Sequence, residues 1–86
     1  MSHCGVTDIS VLESLTNMTY LVLDFNNISD ISALANLTEL ESLSISDNRI
    51  TDLSPLSDLT KLQKLDVEDN NITDYSPVSF VPELYY

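Results

Sequence analysis

The chain repeats itself every 22 residues. Three segments align without a gap: LTNMTYLVLDFNNISDISALAN (Leu15 to Asn36), LTELESLSISDNRITDLSPLSD (Leu37 to Asp58) and LTKLQKLDVEDNNITDYSPVSF (Leu59 to Phe80). The head is the back half of an earlier copy, with Val6 to Leu12 matching Ile28 to Leu34, and the tail VPELYY opens another. A repeat of this length cannot bury its apolar face alone, so the units must stack into one continuous core. The expected organisation is a single array over residues 1–86. It comprises a partial repeat 1–14, full repeats 15–36, 37–58 and 59–80, and a partial repeat 81–86.

Seven apolar columns run through the copies: Leu15/Leu37/Leu59/Val81, Met18/Leu40/Leu62/Leu84, Leu21/Leu43/Leu65, Leu23/Ile45/Val67, Val6/Ile28/Ile50/Ile72, Ile9/Ile31/Leu53/Tyr75 and Leu12/Leu34/Leu56/Val78. Leu21-x-Leu23 alternates as a strand does with one face buried. After Ile28 the apolar residues come every third position, which suits short 3₁₀ turns. An Asn column follows each strand, at Asn26, Asn48 and Asn70, and Cys4 holds the same place in the first partial copy. A polar residue kept in step there must serve backbone groups that the turn leaves unpaired. The Ser column, Ser10, Ser32, Ser54 and Ser76, precedes Pro55 and Pro77 in two copies. Ser before Pro is a helix-start signal, so each Ser is expected to be an N-cap. Only Gly5 is glycine; the tight turns must therefore rest on Asn and on these caps.

The pattern LxxLxLxxNxIxDIxxL resembles the leucine-rich repeat family. The 22-residue period, the Asp52 to Leu56 segment and the Thr60-Lys-Leu62 start are most similar to bacterial internalin-type repeats. Phosphatase-regulatory leucine-rich repeats share the length. The resemblance implies an α/β solenoid with a parallel sheet on its concave side and 3₁₀ turns on its convex side. It further implies a non-catalytic protein-binding module in a bacterial surface or secreted protein, with a cytoplasmic phosphatase-regulator-like role as the alternative. Internalin-type arrays carry a helical cap and a β-rich cap, and neither pattern is visible. The chain begins mid-strand, with Met1 on the Leu23 column, and ends just before a next strand would form. Both ends are therefore expected to expose core side chains and strand edges. The residues leave two explanations open: an excised piece of a longer array, or ends covered by another copy.

Strand alternation places certain positions on the concave face. They are Thr19, Tyr20, Val22, Asp24 and Phe25 in the first full repeat, then Glu41, Ser42, Ser44, Ser46 and Asp47, then Gln63, Lys64, Asp66, Glu68 and Asp69. These columns differ from copy to copy, as Val22/Ser44/Asp66 shows, while the core columns keep their chemistry. The candidate partner-binding set is Tyr20, Val22, Asp24, Phe25, Ser44, Ser46, Asp47, Lys64, Asp66, Glu68 and Asp69. The candidate structural ladder is Asn26, Asn48, Asn70 and Cys4.

The formal net charge is −11, from 14 acidic residues against 3 basic ones. Such a surface repels phosphate backbones and anionic lipid, which argues against nucleic-acid and membrane-surface binding. The concave positions hold six carboxylates against Lys64 alone. A basic or mixed-charge protein would be steered there, with Tyr20, Val22 and Phe25 as apolar anchors. The plainer account is that acidic strands serve solubility. A second column, Asp8/Asp30/Asp52/Asp74, offers carboxylates in register; hydrogen bonding to local turn amides is favoured over calcium, which needs converging oxygens.

Other signals are weak. The repeat consensus itself generates the Asn-x-Ser/Thr triplets at Asn17, Asn27, Asn36 and Asn71. His3 has no accompanying nucleophile, and no Cys/His cluster suggests zinc, so neither a cofactor nor catalysis is expected. No apolar run approaches the ~20 residues of a membrane span.

Overall fold

Each repeat makes one coil, and the coils stack side by side. The computed structural model describes residues 5–86. Four short strands, β1 (Tyr20–Val22), β2 (Ser42–Ser44), β3 (Lys64–Asp66) and β4 (Glu83–Tyr85), form one parallel sheet in chain order. Four 3₁₀ helices run along the opposite side: η1 (Ser10–Ser14), η2 (Ser32–Asn36), η3 (Ser54–Leu56) and η4 (Ser76–Val78). Each helix packs on the next, η1 on η2, η2 on η3 and η3 on η4. Together they make the open solenoid, sheet on one side and 3₁₀ turns on the other, that the family resemblance implies.

The helices follow from the three-residue apolar spacing. The amide of Leu12 donates to Ile9 O, Leu34 to Ile31 O, Leu56 to Leu53 O and Val78 to Tyr75 O, at 2.9, 2.9, 2.9 and 3.1 Å. An i→i+3 bond puts both residues of each pair on one face, so both turn inward. The core is correspondingly continuous. Leu23, Ile28, Leu34, Leu37, Leu40, Ile45, Ile50, Leu56, Leu59 and Leu65 are fully buried. Burying side chains of this size contributes about 1.5–3 kcal/mol each before chain entropy is subtracted. Burial weakens in the outer coils: Leu15 is exposed, and Val6, Met18, Tyr75 and Leu84 are only partly covered.

Two expectations are corrected. The Ser residues are not N-caps. Ile9, Ile31, Leu53 and Tyr75 hold the cap positions without side-chain cap bonds. The Asp two residues before each Ser closes the turn instead. Asp8, Asp30, Asp52 and Asp74 accept from the amides of Ser10, Ser32, Ser54 and Ser76 through Oδ1 at 2.9–3.0 Å. Each is an Asx turn, in which the carboxylate reaches the amide two residues on.

The second correction concerns the tail. A fourth strand does form, and it is out of step with the period. Leu84 pairs with Leu65, Glu83 with Lys64 and Tyr85 with Asp66. Leu84 therefore continues the Leu21/Leu43/Leu65 column, 19 residues on, rather than the Met18/Leu40/Leu62 column. Val81 keeps its place and is buried. The three-residue shortcut brings Glu83 N–H to Gln63 O at 3.1 Å and Tyr85 O to Val67 N–H at 2.9 Å. Pairing β3 in this way satisfies main-chain groups that would otherwise lie open along its edge.

Candidate functional site

Two rows of side chains cross the concave side of the sheet, fixed by the strand register. One row is Tyr20, Ser42, Lys64 and Glu83; the other is Val22, Ser44, Asp66 and Tyr85. Leu21, Leu43, Leu65 and Leu84 lie between them and point into the core, as period-two alternation requires. The first row is the more exposed, and Val22, Ser44 and Asp66 sit half-buried in the floor. A shallow depression opens over the middle of the sheet, lined by residues of both rows together with Asp24. It brings Tyr20, Val22, Asp24, Ser44, Lys64 and Asp66 to one place.

Not all the candidate residues are equally available. Asp24 Oδ1 accepts from the Ser44 hydroxyl at 2.7 Å and from the Ser46 amide at 2.8 Å. Those bonds tie the first full coil to the second and occupy one carboxylate oxygen. Ser46 is buried and offers little surface. Asp66 Oδ1 accepts from the Glu68 amide at 3.1 Å. Lys64 Nζ stands 5.8 Å from the centre of the Tyr85 ring, within the range of a cation–π contact. Sequence reasoning left Glu83 and Tyr85 out of the site. The signal for them was the Glu-Leu-Tyr alternation, which matches Lys64-Leu65-Asp66 once three residues are skipped.

Phe25, Asp47 and Asp69 share an unusual backbone. Their φ angles are 58°, 55° and 56°, in the left-handed region that strains side chains with bulk near the backbone. Asp tolerates that region; Phe does not tolerate it well. Phe25 is about half exposed at the rim of the sheet. The first full coil thus keeps an aromatic ring where the other two have carboxylates, at a conformational cost.

Beneath this surface the three described ladder residues hold the turns. Asn48 Oδ1 accepts from Ile28 N–H, and its Nδ2 donates to Ile45 O, Ser46 O and Leu23 O. Asn70 repeats the pattern with Ile50 N–H, Val67 O, Glu68 O and Ile45 O. Asn26 accepts from Val6 N–H and donates to Leu23 O and Asp24 O. Cys4 and His3 lie outside the described residues.

The convex carboxylates have a different electrostatic setting. The Ser amide two residues on, and then the Ser hydroxyl, hold Asp8, Asp30, Asp52 and Asp74 below the usual carboxylate range. Among the described residues no group of three or more His, Cys, Asp or Glu could hold a metal ion. No described helix is long and apolar enough to cross a membrane.

This geometry agrees with the comparisons to known proteins. The family model described as leucine rich repeats (2 copies) matches residues 1–36 and 38–79. The chain belongs to the leucine-rich repeat family. Its repeats are internalin-like. The array superposes on internalin C2 of Listeria monocytogenes with a TM-score of 0.88 and 46% identity, covering 93% of this chain and 35% of that one. It superposes on a second Listeria monocytogenes internalin, inlF, with a TM-score of 0.91 and 37% identity, covering 96% of this chain and 25% of that one. The leucine-rich repeat chain thus spans about a third or less of these relatives. No curated protein matches it. Leucine-rich repeat arrays of the internalin kind generally mediate protein–protein contact and are generally non-catalytic.

Proposed function

We propose that the array is a protein-binding module whose concave sheet face takes a basic or mixed-charge protein segment. The observation that carries this is the contrast between rows. The core row reads Leu21, Leu43, Leu65 and Leu84 without variation, while the outward rows beside it change chemistry at every strand. A scaffold needs the first row constant; nothing in folding needs the others to vary. Asp47, Asp66, Glu68 and Asp69 supply negative charge toward the later coils, and Tyr20, Val22 and Phe25 supply apolar anchors toward the first. An interface of this make-up gains speed and selectivity from its charges and affinity from its aromatics. The internalin likeness supports a bacterial surface or secreted protein as the setting.

The test is selection of peptides from an unbiased displayed library against the full chain. Selected peptides should be enriched in Lys and Arg. Their binding should weaken at high salt and fall at least ~10-fold for Asp66→Lys, each ~1.4 kcal/mol being one decade. Peptides that bind Asp66→Lys and Tyr20→Ser as well as the parent, but lose binding to Asp30→Lys, would place the site on the convex side and overturn the proposal.

A further inference from the structure

The two outward rows of the sheet carry opposite charges on the same strand. From β1 to β3 one row reads Tyr20, Ser42 and Lys64, and the other reads Val22, Ser44 and Asp66. Each row passes from an aromatic or apolar group to a hydroxyl to a charge, and at β3 the two signs are opposed. That strand is paired on both sides, and Lys64 and Asp66 line the same depression. Two residues apart on one strand, they are separated by ~6.6 Å along it.

The two charges do not neutralise each other. The ion pair among the described residues is Lys61 with Glu39. Lys64 donates no hydrogen bond to a described residue; its Nζ stands 5.8 Å from the centre of the Tyr85 ring. Glu83, opposite it on β4, does not form an ion pair with it. Asp66 spends Oδ1 on the Glu68 amide, and Asp24 spends Oδ1 on the Ser44 hydroxyl and the Ser46 amide. Both carboxylates therefore keep Oδ2 for another donor. They flank Ser44, Asp66 through the strand pairing and Asp24 through the hydroxyl bond. A cation over Ser44 thus meets two carboxylates, whereas a cation over Ser42, which is paired with Lys64, meets an ammonium.

Resting on the concave-face reading above, we propose that Lys64 and Asp66 read the order of charges on the bound protein segment. The segment sets an acidic residue over Lys64 and a basic residue, at the matching distance, over Asp66 and Asp24. Turned round, it brings like charges together at both positions, which rejects the wrong orientation. Asp66 is half-buried and Lys64 exposed, so the basic residue is held against less solvent screening than the acidic one. The net charge of −11 does not supply this discrimination. It steers any cationic segment to the chain, while the ordered pair separates two segments of identical composition.

The test exchanges the two charges in the full chain, Lys64→Asp together with Asp66→Lys, which leaves the net charge at −11. The probes are peptides selected from the displayed library against the parent chain, each also made with its acidic and basic residues exchanged. Selected peptides should carry an acidic residue as well as basic ones. On the parent chain the original peptide should bind at least ~10-fold more tightly than its exchanged form, and on the exchanged chain the preference should reverse. Circular dichroism melts establish whether the exchanged chain folds; the comparison of the two peptides on the parent chain needs no variant and decides the matter if it does not. Selected peptides without an acidic residue, equal binding of the two forms to the parent, or an unchanged preference on a folded exchanged chain would each overturn the proposal. If Asp66→Lys alone and Tyr20→Ser still weaken binding in that event, the charge order fails and the concave-face reading stands. If binding falls for Asp30→Lys instead, both fail.

Discussion

The side-chain amide of Asn48 donates to the main-chain carbonyl of Leu23, 3.0 Å away and 25 residues earlier. The same nitrogen also serves Ile45 O and Ser46 O of its own coil, and the side-chain oxygen takes Ile28 N–H. One buried amide therefore fastens two consecutive coils at the point where each strand ends. Replacing it strands several main-chain groups away from water. Asn48→Ala is expected to cost ~1–3 kcal/mol, visible as a lowered urea midpoint. Ser44→Ala, on the concave face of the same coil, should cost under ~1 kcal/mol, losing the hydroxyl bond to Asp24 but leaving the Ser46 amide bond in place. Equal losses at the two positions would contradict the inward placement of Asn48.

Phe25 is expected to be a position where stability improves on substitution. Its φ of 58° is one that Asn and Asp adopt with less strain. Phe25→Asn should stabilise the chain by up to ~1 kcal/mol. Asp69→Phe, the reverse change in the third full coil at φ 56°, should destabilise it. If binding of the selected basic peptides falls while the urea midpoint rises, the strained ring serves recognition rather than folding. A Phe25→Asn chain that is less stable than the parent would show that contacts of the ring outweigh the backbone strain.

The acidic column predicts a pH dependence with a definite sign. Asp52 is held below its ordinary value of 3.8 by the Ser54 amide and then the Ser54 hydroxyl. A carboxylate with a lowered folded-state pKa adds stability above its unfolded pKa, and that stability is lost as pH falls through the folded value. Protonation also relieves the repulsion of a −11 chain, which works in the opposite direction, so the informative quantity is a difference. The stability advantage of the parent over Asp52→Asn should be constant above about pH 5 and shrink below the usual carboxylate range. An advantage that grows on acidification would contradict the Asx-turn bond.

Most of the fold was legible because each core column is sampled three or four times. Leu23, Ile45 and Val67 are each ambiguous alone; in register they identify one inward position. What escaped was local or occurred once. The Asp column was legible as a set of acceptors for local turn amides, and it is one. What escaped is that the Ser column has no capping role, because the Ser-Pro pair at Ser54 and Ser76 carries a helix-start signal. The left-handed column was hidden because Phe25, Asp47 and Asp69 lack the glycine that would announce it. The concave rows follow from alternation, but alternation cannot say that Asp24 is engaged by Ser44 and Ser46 across the coil boundary. The tail misled because the 22-residue step was extended to a segment with only Val81 to anchor it.

That tail supplies the last prediction. With Leu84 paired to Leu65 rather than packed over Leu62, the last coil is three residues short. Nuclear Overhauser contacts should link the Leu84 and Leu65 backbones and be absent between Leu84 and Leu62. Leu65 is fully buried between two strands, and Leu84 is half-buried at the edge. Leu65→Ala should therefore cost ~2–5 kcal/mol, and Leu84→Ala clearly less. For a chain of this size 1 kcal/mol corresponds to roughly 4–8 °C in Tm, so a thermal melt separates the two. The local stability of β4 should also be below that of β2 and β3, since strands at an edge open before those paired on both sides. Amide exchange at Glu83, whose proton is bonded to Gln63 O, should be faster than at Gln63, whose proton is bonded to Glu41 O between two covered coils. Equal protection at the two amides would mean that β4 is held as firmly as the interior of the array.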